Sequence, residues 1–442
     1  MIIKNNLEEK GFSINLFKDA ALKYPSGIWE NLSESVKRSI VDNLVYLKVS
    51  PYLVMHEDEF YFESSTPYLK EMGDKGIIGD MPRIAEEDNV STKRLIEKFN
   101  NKKVRFRDSE TSVINDISSD GSALIAMSFG KDSLLSYGIA NEAGLNPKLA
   151  MVQDFWDIEA SHKLSLIERF EKEFRQKIEL VHDRIDAISE YARLNKSDSD
   201  GIVGANAMNA YSVMLLPLAI RNNSSYIVFG NEQNFNDHFI NDEGFKVYPS
   251  YEQSSEWMHE QNTALSGFTN NQVRVSSFVE PIYNLAEVKV LFKRYPDLAK
   301  YQMSCSLLNT RKRKERWCYN CPMCAKSFLY LSANGVDPKT ANFNTNLFGK
   351  EHIGLYPLFS KPTRVYEKPL AVRDEQLFAF YLAYRGGVVG DLIEKFKVEF
   401  FEEAKSREDE LHKKFLGVHE PKSMSGPVKG KVLSILKEEL GV

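Results

Sequence analysis

Residues 123–144 read ALIAMSFGKDSLLSYGIANEAG. A short apolar run, ALIAM (123–127), leads into the polar turn Ser128-Phe129-Gly130-Lys131-Asp132-Ser133, and a stretch at helical spacing follows. The same alternation continues downstream. KLAMVQ (148–153), IELVH (178–182), SYIVFG (225–230) and SSFVEPI (276–282) read as short buried strands, with SLIERFEKEFRQ and AMNAYSVMLLPLAIRN between them as helices. Strands alternating with helices predict an α/β fold, a parallel sheet with flanking helices and right-handed crossovers. Such sheets bind ligands beyond the carboxyl ends of the strands, near a topological switch point. The loops after ALIAM, KLAMVQ and SYIVFG are therefore where function is expected.

Outward from this centre, the polar stretch DSETSVINDISSDGS marks a boundary, so that 1–118 reads as an N-terminal α+β extension. Within it, NLSESVKRSIVDNLVYL and STKRLIEKFNNK have helical spacing behind cap-like serines, and EDEFYFESS suits a strand. Residues 119–330 form the central unit. Residues 331–442 are expected to be helical, with DEQLFAFYLAYRG and GKVLSILKEEL as the clearest signals. No internal repeat is visible.

Composition narrows the classes. The chain has 442 residues, 43% hydrophobic and 27% charged, as in an ordinary globular protein. No apolar run approaches the ~18–20 residues that span a bilayer. The start, MIIKNNLEEKGFS, lacks a secretory h-region, so a cytoplasmic location without membrane attachment is expected. With 57 basic and 62 acidic residues, nothing in the overall charge calls for nucleic acid.

The turn at 128–133 follows a strand and opens a helix, where backbone amides and a helix N-terminus can hold phosphates. It is not a Walker A loop, which needs Gly where Ile125 stands and Ser or Thr where Asp132 stands. Ser128, Ser133 and nearby amides would donate to phosphate oxygens and Lys131 would neutralise charge. Asp132 would hold Mg²⁺, because a bare carboxylate beside a triphosphate is repulsive without a metal.

All four cysteines fall within SCSLLNTRKRKERWCYNCPMC, spaced C-x12-C-x2-C-x2-C at Cys305, Cys318, Cys321 and Cys324. Four soft thiolates suit tetrahedral Zn²⁺ with no open position, hence a structural metal. An iron–sulfur cluster is the alternative that the C-x2-C-x2-C run allows. The intervening RKRKER reads as a solvated loop or a grip for phosphate or RNA.

Together these stretches resemble the 7-cyano-7-deazaguanine synthase (QueC) family of PP-loop ATP pyrophosphatases. Ser128, Gly130, Asp132 and Ser133 match the SGGxDS loop, with Phe129 in place of its first Gly, and Ser304-Cys305 opens a similar cysteine knot. Asn209 resembles the Asn of an RNT helix start, Gly230-Asn231-Glu232 with Asp237 the family's loop after the fourth strand, Tyr248-Pro249 with Glu256 a YPD segment, and EPIYNLAEVKVL a PL…TKAE segment. The resemblance covers about 120–330 and implies a PP-loop/HUP-like (adenine nucleotide alpha hydrolase-like) fold. It also implies cleavage of ATP to AMP and pyrophosphate, with Mg²⁺ and Zn²⁺ as cofactors. A Phe at the glycine position is expected to keep a negative φ.

The length, about twice that of a housekeeping member, resembles the QueC-like proteins of antiphage defence systems (the type IV CBASS and Qat groups). That resemblance implies adenylation of a small-molecule carboxylate, 7-carboxy-7-deazaguanine, for attack by ammonia or by the amine of a partner protein, in a chain that could form a homodimer. Trp317-Cys318 and Pro322-Met323-Cys324 also resemble the UDP-N-acetylmuramoyl-peptide glutamate epimerase, which uses the same adenylation. A degenerate loop that only binds nucleotide and docks a partner is the non-enzymatic alternative. On these readings Lys131, Asp132, Glu232 and Asp237 are candidate catalytic residues, with His238 a further base. Ser128–Ser133, Asp154 and Gly230 would contact ATP, with Phe155 or Trp156 stacking on the purine. Asn209, Asn231, Tyr248 and Glu256 would contact substrate.

Overall fold

The computed structural model describes all residues except 55–58, 116, 154–159, 186–203, 306–315, 363 and 425. Asp154, Phe155, Trp156 and most of RKRKER lie outside the described residues. Five parallel strands form the heart of an eight-stranded sheet: Ser122–Ala126, Lys148–Gln153, Ile178–Asp183, Ser224–Phe229 and Arg274–Ser277. In space the fifth lies beside the fourth, then the first, second and third. Winding therefore reverses between Ser122–Ala126 and Ser224–Phe229, which creates a crevice at their carboxyl ends.

Alternation along the first strand assigns its side chains to two cores. Ala123 and Ile125 pack with Leu134, Leu135 and Val228 on one face; Leu124 packs with Val213 and Ile227 on the other. Burial on both faces is why these strands read as continuous apolar runs. The run SSFVEPI stops pairing at Ser277, earlier than expected. Phe278 and Val279 remain fully buried, but the chain turns so that the Glu280 carboxylate accepts Lys422 N–H (2.7 Å) and Ser423 N–H (3.0 Å). Burial alone therefore produced the apolar signal there.

Residues 1–118 extend the same sheet. Asn5–Glu8, Gly11–Ile14 and Ala21–Lys23 form an antiparallel meander that joins the Ile178–Asp183 edge. A separate three-stranded parallel sheet contains Ile2–Ile3, Phe60–Ser65 and Val104–Asp108. The helices Glu34–Val49 and Thr92–Asn100 start at Ser33 and Ser91, whose side chains cap them. The C-terminal region is helical and covers the opposite face, where Leu370–Arg385 packs on Pro322–Ala333.

One buried carboxylate stands out in the joint between these layers. Glu252 accepts the Met208 N–H (2.9 Å) at the start of the helix Ala207–Arg221. Burial, with Asp80 adding to it, pushes its pKa up to about 8. Because this is above the unfolded value of ~4.3, the folded state holds a proton that the unfolded chain releases between those two pH values. Its contribution is complete below pH ~4.3 and falls by up to about 1.4 kcal/mol per unit as pH rises toward 8. Glu252→Gln should flatten the fall in melting temperature between pH 5 and 8. An unchanged profile would mean that Glu252 is ionised in the native protein.

Candidate active site

The turn at 128–133 lies at the switch point. Its helix, Lys131–Glu142, begins at Gly130 without a side-chain cap, which leaves its first amides without a capping side chain, as an anion site would require. The turn is held by its own serines. Ser133 Oγ accepts the Ser128 N–H (3.2 Å) and donates to the Gly130 carbonyl (3.1 Å), while Ser128 Oγ accepts the Gly130 N–H (3.2 Å).

Phe129 contradicts the expected negative φ: it adopts φ +61°. The turn requires the left-handed conformation a glycine would supply, at a cost of ~1–2 kcal/mol for an L side chain. Anchoring offsets the strain. The ring is fully buried against Phe170 (5.8 Å between centroids) and Tyr301 (6.4 Å), and the Phe129 carbonyl accepts Met303 N–H at 2.7 Å. Phe129 thus faces the core behind the loop. Phe129→Gly should relieve the strain yet lose the ring, a net destabilisation of about 2–4 kcal/mol measured as a lower denaturant midpoint. A neutral result would mean the ring anchors nothing.

Beyond the strand ends lies a cleft of about 450 Å³. Ser128, Asp132, Ser133, Gly230 and Asn231 line it, as do Gln153, Lys163, Tyr211 and Gln253. Gly230 is required by close approach, because a Cβ there would collide with the Asp132 side chain. Asn231 is 1% exposed; its Oδ1 accepts Gln253 Nε2 (3.2 Å) and its Nδ2 has no partner among the described residues.

At one end of the cleft Asp132 joins Glu232 and Glu287; one carboxylate oxygen from each lies within 4.8 Å of the other two. Lys131 is buried among them. Its ammonium contacts Asp132, lies 2.6 Å from Glu287 Oε2 and is 3.9 Å from Glu232 Oε1. Burial pulls the Lys131 pKa down, but Asp132, Glu287 and Glu232 outweigh it and hold the ammonium charged. Burial raises the Glu287 and Glu232 carboxyls. Asn284 Nδ2 donates to Glu232 (3.1 Å), and Glu287 is fully buried. Such hard oxygen donors suit Mg²⁺.

Lys131 therefore faces carboxylates. Lys131, Asp132, Ser304, Lys326 and Tyr330 also border a cavity of about 30 Å³ on the knot side. Glu287 and Lys326 were not among the residues picked from sequence. The former is visible as the second acid of EPIYNLAEVKVL; Lys326 carries no signal.

Several expected substrate contacts stand elsewhere. Asn209 is fully buried, donating to Asn206 Oδ1 (2.9 Å) and accepting Trp257 Nε1–H (3.0 Å), so it serves as a joint between helices. Tyr248 and Glu256 pair with each other (3.3 Å) and do not line the cleft. Asp237 accepts Tyr283 O–H (3.2 Å), and burial pushes its pKa up to about 6; it too lies outside the cleft lining. His238 is exposed, with Nδ1 3.2 Å from the Asn236 carbonyl. Of the candidate bases, the fold brings only Glu232 to the loop.

The four cysteine sulfurs gather as their spacing implied. Cys321 and Cys324 Sγ are 3.5 Å apart, Cys318 and Cys324 3.6 Å, and Cys305 and Cys321 4.0 Å. A tetrahedron with Zn–S ~2.3 Å has edges of about 3.8 Å, so the group could hold a zinc ion. Cys321 caps Pro322–Ala333 by accepting the Cys324 N–H (3.4 Å). Hydrogen bonding, first from Cys318, lowers the Cys305 thiol to about 6. Trp317 is fully buried, stacked on Phe343 at 4.2 Å.

Among the described residues no helix is long and apolar enough to cross a membrane. No known protein family matches the chain, and no curated protein matches it significantly.

Proposed function

We propose that this chain is an ATP-dependent adenylating enzyme of the QueC-like PP-loop type. The observation that carries the reading is the uncapped Lys131–Glu142 helix at the sheet's switch point, beside a cleft lined by Asp132, which is grouped with the buried Glu232 and Glu287. The cleft volume suits a nucleotide with a small second substrate.

In this reading a substrate carboxylate oxygen attacks the α-phosphorus of ATP. The bond from that phosphorus to the α,β-bridging oxygen breaks, and pyrophosphate leaves with the electron pair. Amides of residues 130–133 receive the phosphate oxygens, with the Ser128 and Ser133 hydroxyls turning from the loop to the ligand. A magnesium ion held by Asp132, Glu232 and Glu287 would supply positive charge against the triphosphate. An amine nitrogen then attacks the acyl carbon, AMP leaves, and the amine loses one proton; Glu232 is the base nearest the loop. Asn231 Nδ2 and Gln253 are the polar groups placed to orient the carboxylate substrate. Zinc at Cys305, Cys318, Cys321 and Cys324 is structural, and antiphage defence is the setting that the resemblance favours.

The test is incubation of the purified protein with ATP, Mg²⁺ and 7-carboxy-7-deazaguanine, with and without ammonium, followed by mass spectrometry. AMP, pyrophosphate and an adenylate or amide product are expected. AMP formed only with UDP-N-acetylmuramoyl-dipeptide would shift the assignment to the epimerase chemistry. No AMP with either substrate would leave a binding module.

A further inference from the structure

The Lys131 ammonium occupies the space in which a cation shared by the three carboxylates would have to sit. It contacts Asp132, is 2.6 Å from Glu287 and is 3.9 Å from Glu232. Oxygens no more than 4.8 Å apart can all bind one divalent ion, since opposite ligands of a hard cation at ~2.1–2.4 Å are separated by ~4–5 Å. An ammonium and a metal cannot share that space. Asp132 and Glu287 contact the ammonium and Glu232 lies farther off, so three acids share one contacting base. Glu287 is 0% exposed, and beyond the Lys131 contact at Oε2 its Oε1 has no hydrogen-bond partner among the described residues. Lys326 lies close enough to bias the trio electrostatically, but no ion pair joins it to those carboxylates among the described residues.

We infer that Lys131 is an exchangeable counter-ion: a divalent cation entering between Asp132, Glu232 and Glu287 displaces its ammonium, which is thereby released to meet the ligand's phosphates. The exchange rests on the adenylating reading for the phosphates, while the metal step depends on the trio alone. It explains how a lysine at the head of a phosphate loop can be buried among acids. It also makes metal entry a condition for exposing the phosphate-binding cation.

The first measurement is Mn²⁺ binding to the full zinc-loaded chain without nucleotide, with free Mn²⁺ counted by electron paramagnetic resonance. Lys131→Met should bind Mn²⁺ at least tenfold more tightly than the wild type, and adding Glu287→Gln should cancel the gain. Equal or weaker binding by Lys131→Met overturns the exchange. The second measurement needs no variant, so it decides the matter even if Lys131→Met fails to fold. Amine acylation at Lys131 in the wild type, read by peptide mass spectrometry, should be low without metal and rise several-fold with Mn²⁺. Unchanged labelling at saturating Mn²⁺ overturns the inference. Exchange without AMP formation would sink the adenylating reading alone, whereas AMP formation without exchange would sink only the displacement.

Discussion

Asp132→Asn is expected to lower AMP formation by at least ~10²–10³-fold, the usual loss when one preorganised electrostatic contact to a reacting phosphate or oxyanion is removed. Among the described residues, Asp132 is the one that lines both the large cleft and the small cavity beside the knot. Its carboxylate belongs to the trio and also contacts Lys131. The amide is nearly isosteric, so the close approach of Gly230 is preserved, and Glu287 still pairs with Lys131. Melting temperature should therefore change by only a few degrees while activity collapses. Asp237→Asn is the informative contrast. Asp237 was equally a candidate acid from sequence, but it pairs with Tyr283 outside the cleft lining, and its replacement should reduce AMP formation less than about threefold. Equal losses in the two variants would mean that the trio is not the centre of the reaction.

The contrast between Asp132 and Asp237 shows where sequence reading stops. KLAMVQ is legible to the residue because its buried centre, Leu149–Met151, is apolar and polar or turn residues bound the run. The loop at 128–133 was legible because strand, turn and helix are contiguous. Glu287 was harder, since it reaches Asp132 only through the packing of Asn284–Arg294 against Lys131–Glu142.

The helix Lys70–Asp88 was not singled out at all. Gly73, Gly76, Gly79 and Pro82 all argue against a helix on propensity. The glycines are what let it approach its neighbours: a Cβ at Gly76 would come within 2.7 Å of Asn209 Nδ2, and one at Gly79 would collide with the Tyr251 ring. Tertiary contact, which no local pattern encodes, overrode propensity there. The same packing turned Asn209 from an expected substrate contact into a buried joint. Phe129 is the converse case. Its position was read correctly, but the sign of its φ depended on a pocket built by Phe170 and Tyr301, residues 41 and 172 places away.

Zinc removal should have the second large effect, and it should reach the loop. Met303, two residues before Cys305, donates its N–H to the Phe129 carbonyl at 2.7 Å. Ser304 lies between them, bordering the small cavity with Lys131 and Asp132. The knot and the loop are thus joined by a short span of backbone. Structural zinc sites contribute on the order of 10 kcal/mol in small domains. Here the knot is embedded in a much larger core, so stripping the metal should lower the melting temperature by about 10 °C without unfolding the whole chain. Elemental analysis should find about one zinc per chain. A thiol reagent with a chelator should release it as the buried Trp317 emission changes. AMP formation should fall in step with zinc release, ahead of global unfolding, because Phe129 loses its anchor first. Cys321→Ser should reproduce the loss, since Cys321 is both a candidate ligand and the cap of the Pro322–Ala333 helix. Stoichiometric iron with visible absorbance would replace the zinc assignment with a cluster. Full activity in a zinc-free protein would break the proposed link between knot and loop.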